Sequence, residues 1–145
     1  MPDPYVYRHR VRYRECDPMG VVYHTHTVDW FEAARTEALR ARGLPYAEVE
    51  AGGIIMPVVD LRVRYHAPVR YDDVVEVECE LPDEPGVRVP IEYRVRREGE
   101  DKVLISGRVT LCVVDAATGR PSSPPAAIVA ALGPPAPEAS GGREA

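Results

Sequence analysis

The stretch ECDPMGVVYHTHTVDWFEAARTEALRARG, Glu15 to Gly43, changes character halfway along. It opens on an acidic turn, Asp17-Pro18-Met19-Gly20, and passes through Val21, Val22, Tyr23 and His24. It then takes up a helical period. From Thr27 to Arg42 the residues Val28, Phe31, Ala34 or Arg35, Ala38 and Leu39 recur three and four apart, which predicts an amphipathic helix. Gly43 stands where a left-handed residue closes a helix. No other segment sustains that period over a comparable length, so this stretch holds the one long helix of the fold.

On either side the period is two. Tyr5 to Arg14 sets Tyr5, Tyr7, His9, Val11 and Tyr13 against four arginines, the pattern of a half-buried strand. Leu44 to Gly53 reads as a loop with one helical turn. Four more strands follow. Ile55 to Tyr65 alternates against Asp60, Arg62 and Arg64. Val75 to Leu81 alternates against Glu76, Glu78 and Glu80. Val87 to Val95 alternates against Arg88, Glu92 and Arg94. Val103 to Val114 is apolar on both faces near its end. Asp72-Asp73, Pro82 to Gly86 and Gly99 to Asp101 are the turns. Ser123 and Pro124 read as the N-cap and first residue of a short helix ending at Leu132. The order is strand, helix, four antiparallel strands, an α+β class in which one helix must cover the apolar face of a five-stranded sheet. The opposite face carries arginines facing glutamates, a pattern for cross-strand ion pairs rather than for a reaction site.

Composition narrows the function. A chain of 145 residues supports one core, expected over 1–132, with the Pro-, Gly- and Ala-rich 133–145 as a disordered tail. A net charge of −5 argues against nucleic acid or an anionic membrane surface as partner. Of the 18 basic residues only Lys102 is not arginine, and Asn and Gln are absent, a bias that fits a GC-rich genome or a hot habitat. Cys16, Cys79 and Cys112 have neither metal nor redox spacing. With no signal peptide and no long apolar run, a cytoplasmic location is expected.

The motif Asp17-Pro18-Met19-Gly20-Val21-Val22-Tyr23-His24, followed by Glu32 and Arg35 on the helix and by Gly43, resembles the hotdog-fold acyl-CoA thioesterases of the 4-hydroxybenzoyl-CoA thioesterase and YbgC-like family. The run RYHAPVRYDDVVEVE, Arg64 to Glu78, is similar to that family's strand, proline, Tyr-Asp-Asp turn and next strand. Two separated motifs in the right order carry the resemblance, which spans Tyr5 to Val114. The sequence departs from it at Thr27, where many members carry tyrosine. The resemblance implies a five-stranded antiparallel sheet wrapped around the helix. It also implies a two-fold dimer, doubled to a tetramer, with sites at the dimer interface.

The residues agree with thioester chemistry. A thioester carbonyl needs an attacking oxygen and donors for the oxyanion that develops. Its thiolate leaving group, of pKa about 8.5 by analogy with cysteine, leaves without strong acid assistance. One carboxylate and one helix N-terminus, whose first N–H groups lack internal partners, can therefore suffice. By the resemblance, Asp17 is nucleophile or general base and the backbone N–H of His24 polarises the carbonyl. The sequence leaves the choice between nucleophile and base open. Gly20 permits the tight turn, Val22 and Tyr23 wall the pocket, and Phe31 reaches the acyl group. Arg64 and Arg70 are candidates for the phosphates of CoA.

Each assignment has a plainer competitor. An Asp-Pro-x-Gly turn alone is a common β-turn, and the adjoining helix and second motif are what move Asp17 into catalysis. His24 and His26 have ligand spacing but no third partner, so neither metal nor cofactor is expected. Glu32 and Arg35 read most simply as a helix ion pair. His9 and His66 read as structural, and Cys16 has no base placed to activate it. Two other functions remain in view. A hotdog dehydratase of 3-hydroxyacyl thioesters would use His24 with Asp17, and a non-catalytic acyl-CoA sensor would dispense with the carboxylate.

Overall fold

The computed structural model describes residues 4–132; the expected tail at 133–145 lies outside them. The elements in chain order are β1 (Tyr5–Arg10), α1 (His26–Ala41), α2 (Tyr46–Ala51), β2 (Ile54–Ile55), β3 (Val58–Tyr65), β4 (Val74–Glu80), β5 (Arg88–Arg97), β6 (Val103–Cys112), β7 (Val114–Asp115), β8 (Arg120–Pro121) and α3 (Ala126–Leu132). The main sheet has the order β1-β4-β5-β6-β3, with every neighbouring pair antiparallel, and β2-β7-β8 form a second, small sheet. This is the hotdog arrangement, one 16-residue helix against a five-stranded sheet.

The helix stops as its sequence implies. Gly43 has φ +81°, Leu44 N–H donates to Leu39 C=O at 2.9 Å, and Gly43 N–H donates to Arg40 C=O at 2.9 Å. These two bonds are the paired closure of a Schellman end. Its buried face is turned slightly from the expected stripe. Thr27, Trp30, Phe31, Ala34, Ala38 and Leu39 are buried, while Val28 is only half-buried. Trp30 can turn inward because its indole N–H finds a buried acceptor, Glu15. Phe31 stacks on Tyr93 of β5 with ring centroids 4.2 Å apart. It also lies over Gly107 of β6, where a Cβ would come within 2.6 Å of the Phe31 ring. The sheet thus admits the helix because β6 has no side chain at that point.

The outer face is the ion-pair ladder the alternation predicts. Register sets Glu78 opposite Arg94 and Glu76 opposite Arg96. Arg94 bridges Glu78 and Glu80 at 3.1 Å each, and Arg96 reaches Glu78 at 2.8 Å.

Several boundaries differ from the sequence reading. The first strand ends at Arg10 rather than Arg14, because Tyr13–Glu15 coil into a 3₁₀ turn that buries Glu15. Pro57 separates Ile54–Ile55 from β3, and the pair joins β7 instead. The doubly apolar end of β6 is explained by the same junction, since Leu111 to Val114 are buried where the chain passes from one sheet to the other. Leu44 to Gly53 holds a six-residue helix. The last helix begins at Ala126, after Pro125 rather than at Pro124; Pro125 C=O takes the first helical bonds. Glu32 and Arg35 form no ion pair. Arg35 instead sits beside Tyr93 and Cys79, whose side chains burial drives strongly toward their neutral forms, the thiol to about 12.

Candidate active site

The acidic turn is a closed loop. Asp17 N–H donates to Val21 C=O at 2.8 Å and Gly20 N–H returns to Asp17 C=O at 2.9 Å. Gly20 has φ +81°, a conformation that costs a residue with a Cβ far more. Cys16 and Val22 then pair as an antiparallel bridge, and Tyr23 N–H donates to Glu15 C=O at 2.9 Å. The Asp17 carboxylate accepts from Met19 N–H at 2.8 Å through Oδ1. That bond fixes the side chain's direction and, among the described residues, leaves the second oxygen without a donor.

The base of the loop is pinned by Glu15, a residue that sequence reasoning passed over. The residue is 5 % exposed, and its carboxylate accepts from Trp30 Nε1–H at 2.9 Å, Arg12 N–H at 2.8 Å and His9 Nε2–H at 2.9 Å. Burial pushes its pKa up, but the donors from Arg12, Trp30 and His9 outweigh burial and hold it below the ordinary glutamate value. His9 is thereby a structural histidine, as is His66, whose Nε2 meets Ser106 Oγ at 2.9 Å. Cys16 is a poor nucleophile here. Burial and the carboxylates of Glu15, Asp17 and Asp73 all raise its pKa.

The loop delivers Asp17 to the start of α1. Thr25 at the N-cap makes no side-chain capping bond, so the helix N-terminus is open. Among the described residues, the backbone N–H groups of His24, Thr25 and Thr27 have no hydrogen-bond partner, whereas those of His26 and Val28 are taken up by Tyr23 C=O and Thr25 C=O. The His24 carbonyl is held from the edge strand, where the Tyr65 hydroxyl donates to it at 2.7 Å. Burial raises the Tyr65 pKa, with the neighbouring Thr27 hydroxyl acting the other way, so the phenol keeps the proton it donates.

These groups surround a cleft of about 420 Å³, within the range of small-molecule sites. One wall is Asp17, Val21, Val22, Tyr23, His24 and Thr27; the other is Tyr65 and the segment His66 to Val69, with Ile105 between. The cleft therefore gathers Asp17, Val22, Tyr23 and His24 of the residues singled out from sequence. It does not include the others. Gly20 shapes the turn without facing the cleft, and Phe31 is wholly buried against Tyr93. Arg64 lines a separate depression on the outer sheet face with Arg62, Arg94 and Arg108. Arg70 is exposed, bridged to Val21 through the backbone. Among the described residues no three His, Cys, Asp or Glu side chains cluster as a metal site would require.

Sequence comparison places this geometry in a family. Residues 11–132 match the thioesterase-like superfamily. The chain is 33% identical to the acyl-CoA thioester hydrolase YbgC of Escherichia coli over 121 residues, 83% of this chain and 90% of that one. A crystal structure of a hypothetical protein from Thermus thermophilus, 39% identical, superposes with a TM-score of 0.81 over 88% of this chain and 96% of the other. The DHNA-CoA thioesterase of Staphylococcus aureus, 31% identical, superposes with a TM-score of 0.75 over 81% and 78%. A chain with an open helix N-terminus, a carboxylate-bearing turn before it and this profile belongs to the thioesterase-like superfamily. It is by class a thioester hydrolase.

Proposed function

We propose that this protein hydrolyses acyl-CoA thioesters to the free acid and CoA, with a short-chain or aromatic acyl group as substrate. The observation that carries the reading is that Asp17 and the uncapped N-terminus of α1 line one cleft. The acyl carbonyl sits against the helix start and accepts from His24 N–H, which has no other partner among the described residues. The carbonyl oxygen gains negative charge as the tetrahedral carbon forms, and an N–H beside the positive helix end favours that charge. The free oxygen of Asp17 supplies the attack in one of two ways. It adds to the carbonyl carbon and forms an anhydride that water then cleaves, or it takes a proton from water as that water adds. In both, the C–S bond breaks and the sulfur departs as thiolate.

The assembly proposed is a two-fold dimer, doubled to a tetramer. Strand β3 ends the sheet with no outer neighbour among the described residues, and Val58, Val59, Leu61 and Tyr65 on it are 44–48 % exposed. An unpaired edge with exposed apolar side chains favours pairing with a second copy. Since Tyr65 also lines the cleft, that pairing sets the cleft beside the interface. Thiol release from a panel of acyl-CoAs, run beside a hydratase assay on 3-hydroxyacyl-CoA, tests the activity. Turnover by the hydratase alone, or none by either, would overturn it.

A further inference from the structure

Thr27 carries two polar groups that the fold leaves without partners. The residue is 0 % exposed, and among the described residues its Oγ1 makes no hydrogen bond of ordinary geometry; the Tyr65 hydroxyl lies near enough to feel it but not in position to satisfy it. Its backbone N–H, in the first turn of α1, has none either among the described residues. A buried hydroxyl with nothing to bind costs stability, and native structures rarely keep one without reason. The usual remedy for a helical threonine is a bond back to the carbonyl three or four residues earlier. Thr27 takes neither here: Tyr23 C=O accepts from His26 N–H at 3.1 Å and His24 C=O from the Tyr65 hydroxyl at 2.7 Å, and its Oγ1 bonds to neither oxygen. Among the described residues the other buried side-chain oxygen without a partner, Tyr93 Oη, lies in the core next to Arg35 and Cys79. Only the Thr27 hydroxyl is in the wall of the cleft that holds Asp17.

We propose that Thr27 is a further catalytic residue of this site, its hydroxyl donating a hydrogen bond to the acyl carbonyl oxygen beside the bond from His24 N–H. The inference rests on the thioesterase reading above and adds a side-chain donor to a backbone one. No proton is transferred. The hydroxyl keeps its hydrogen while the carbonyl oxygen gains charge and then loses it as the C–S bond breaks. Tyr65, alongside Thr27, is 48 % exposed and anchored through its hydroxyl by a single bond, so an entering acyl group reaches Thr27 by turning that phenol aside. The contact strengthens as charge develops, so its loss should fall on kcat rather than KM.

The test compares Thr27→Val and Thr27→Ser with the unaltered protein, measuring kcat, KM and thermal unfolding. Valine keeps the shape and removes the hydroxyl; serine keeps the hydroxyl. Thr27→Val is expected to lower kcat about 10²-fold, the usual loss for one oxyanion donor. Its melting temperature should be unchanged or higher, because an unpaired buried hydroxyl has been removed. Thr27→Ser should retain most of the activity. A merely structural threonine would show the reverse, a lower melting temperature with kcat preserved in the folded fraction, and that result overturns the proposal. If the unaltered protein turns over acyl-CoA and Thr27→Val matches it, this inference alone fails. If the unaltered protein is silent on every acyl-CoA, the thioesterase reading fails and takes this inference with it.

Discussion

Glu15→Gln tests how the loop carrying Asp17 is held. The carboxylate receives donors on both oxygens, Arg12 N–H and His9 on Oε1 and Trp30 Nε1–H on Oε2. A glutamine can accept on one oxygen only, so at least one buried donor would meet an N–H instead. A hydrogen bond to a charged group contributes about 1.5–3 kcal/mol, and an orphaned buried donor costs about 1–3 kcal/mol. The two are not independent, so a net loss of about 2–4 kcal/mol is expected. That is a sizeable share of a typical domain's stability. For a chain of this size it corresponds to a fall of roughly 6–15 °C in melting temperature. Calorimetry at neutral pH reads this directly. Below the unfolding range, kcat should also fall by an order of magnitude or more, since a 1 Å displacement of a reacting group can cost about 10²-fold. The pH dependence carries a sign. The Glu15 pKa is lowered in the folded state from 4.5, so its contribution is fully present above about that pH. It is lost as pH falls through the lowered native value. The gap in melting temperature between the unaltered protein and Glu15→Gln should therefore narrow as pH drops below 4.5. A variant that melts within a degree of the original and turns over normally would refute the anchoring argument.

Asp17→Asn should reduce turnover by at least about 10²–10⁴-fold with fold and acyl-CoA binding kept, since an amide neither attacks nor accepts water's proton. His24→Ala should cost less, because the donor belongs to the backbone, and His24→Pro more, with circular dichroism to confirm folding. The outcome that counts against the mechanism is His24→Ala proving worse than Asp17→Asn. Leu61→Lys on the open edge of β3, where Leu61 is 44 % exposed, should shift the protein toward monomer by light scattering; an unchanged mass at low concentration removes the edge from the interface. Gly107→Ala would set a Cβ 2.6 Å from the Phe31 ring and 2.9 Å from Arg62 C=O, so a loss of about 1–3 kcal/mol is expected from denaturant unfolding.

Local regularities made much of this molecule readable. The period-two strands, the helical period from Thr27, the left-handed glycine at 43 and the turn ending at Gly20 are properties of a few adjacent residues, and each is present. The Asp17 turn beside a helix start was legible for the same reason, because both lie within ten residues of chain. The alternation of Arg and Glu likewise announced an ion-paired outer face, since register needs only the period and the turns.

What depended on distant residues was not legible. Glu15, just past the expected strand, carried no sign of a role until Trp30 and His9 supplied donors for it, and their presence is what made its burial possible. The inward face of α1 passed from Val28 to Thr27 and Trp30 because that acceptor existed. Phe31 went to the core, where Gly107 of a strand 76 residues later left room for its ring. The order of the strands set β3 at the edge, and with it Tyr65 over the helix start and Arg64 on the opposite face. Amino-acid pattern by itself determined which segments are helix and strand and where a carboxylate meets a helix end. The tertiary structure alone decided which polar groups are buried with partners and which, like the Thr27 hydroxyl, are buried without one, because hydrogen-bond satisfaction is a property of neighbours in space rather than along the chain.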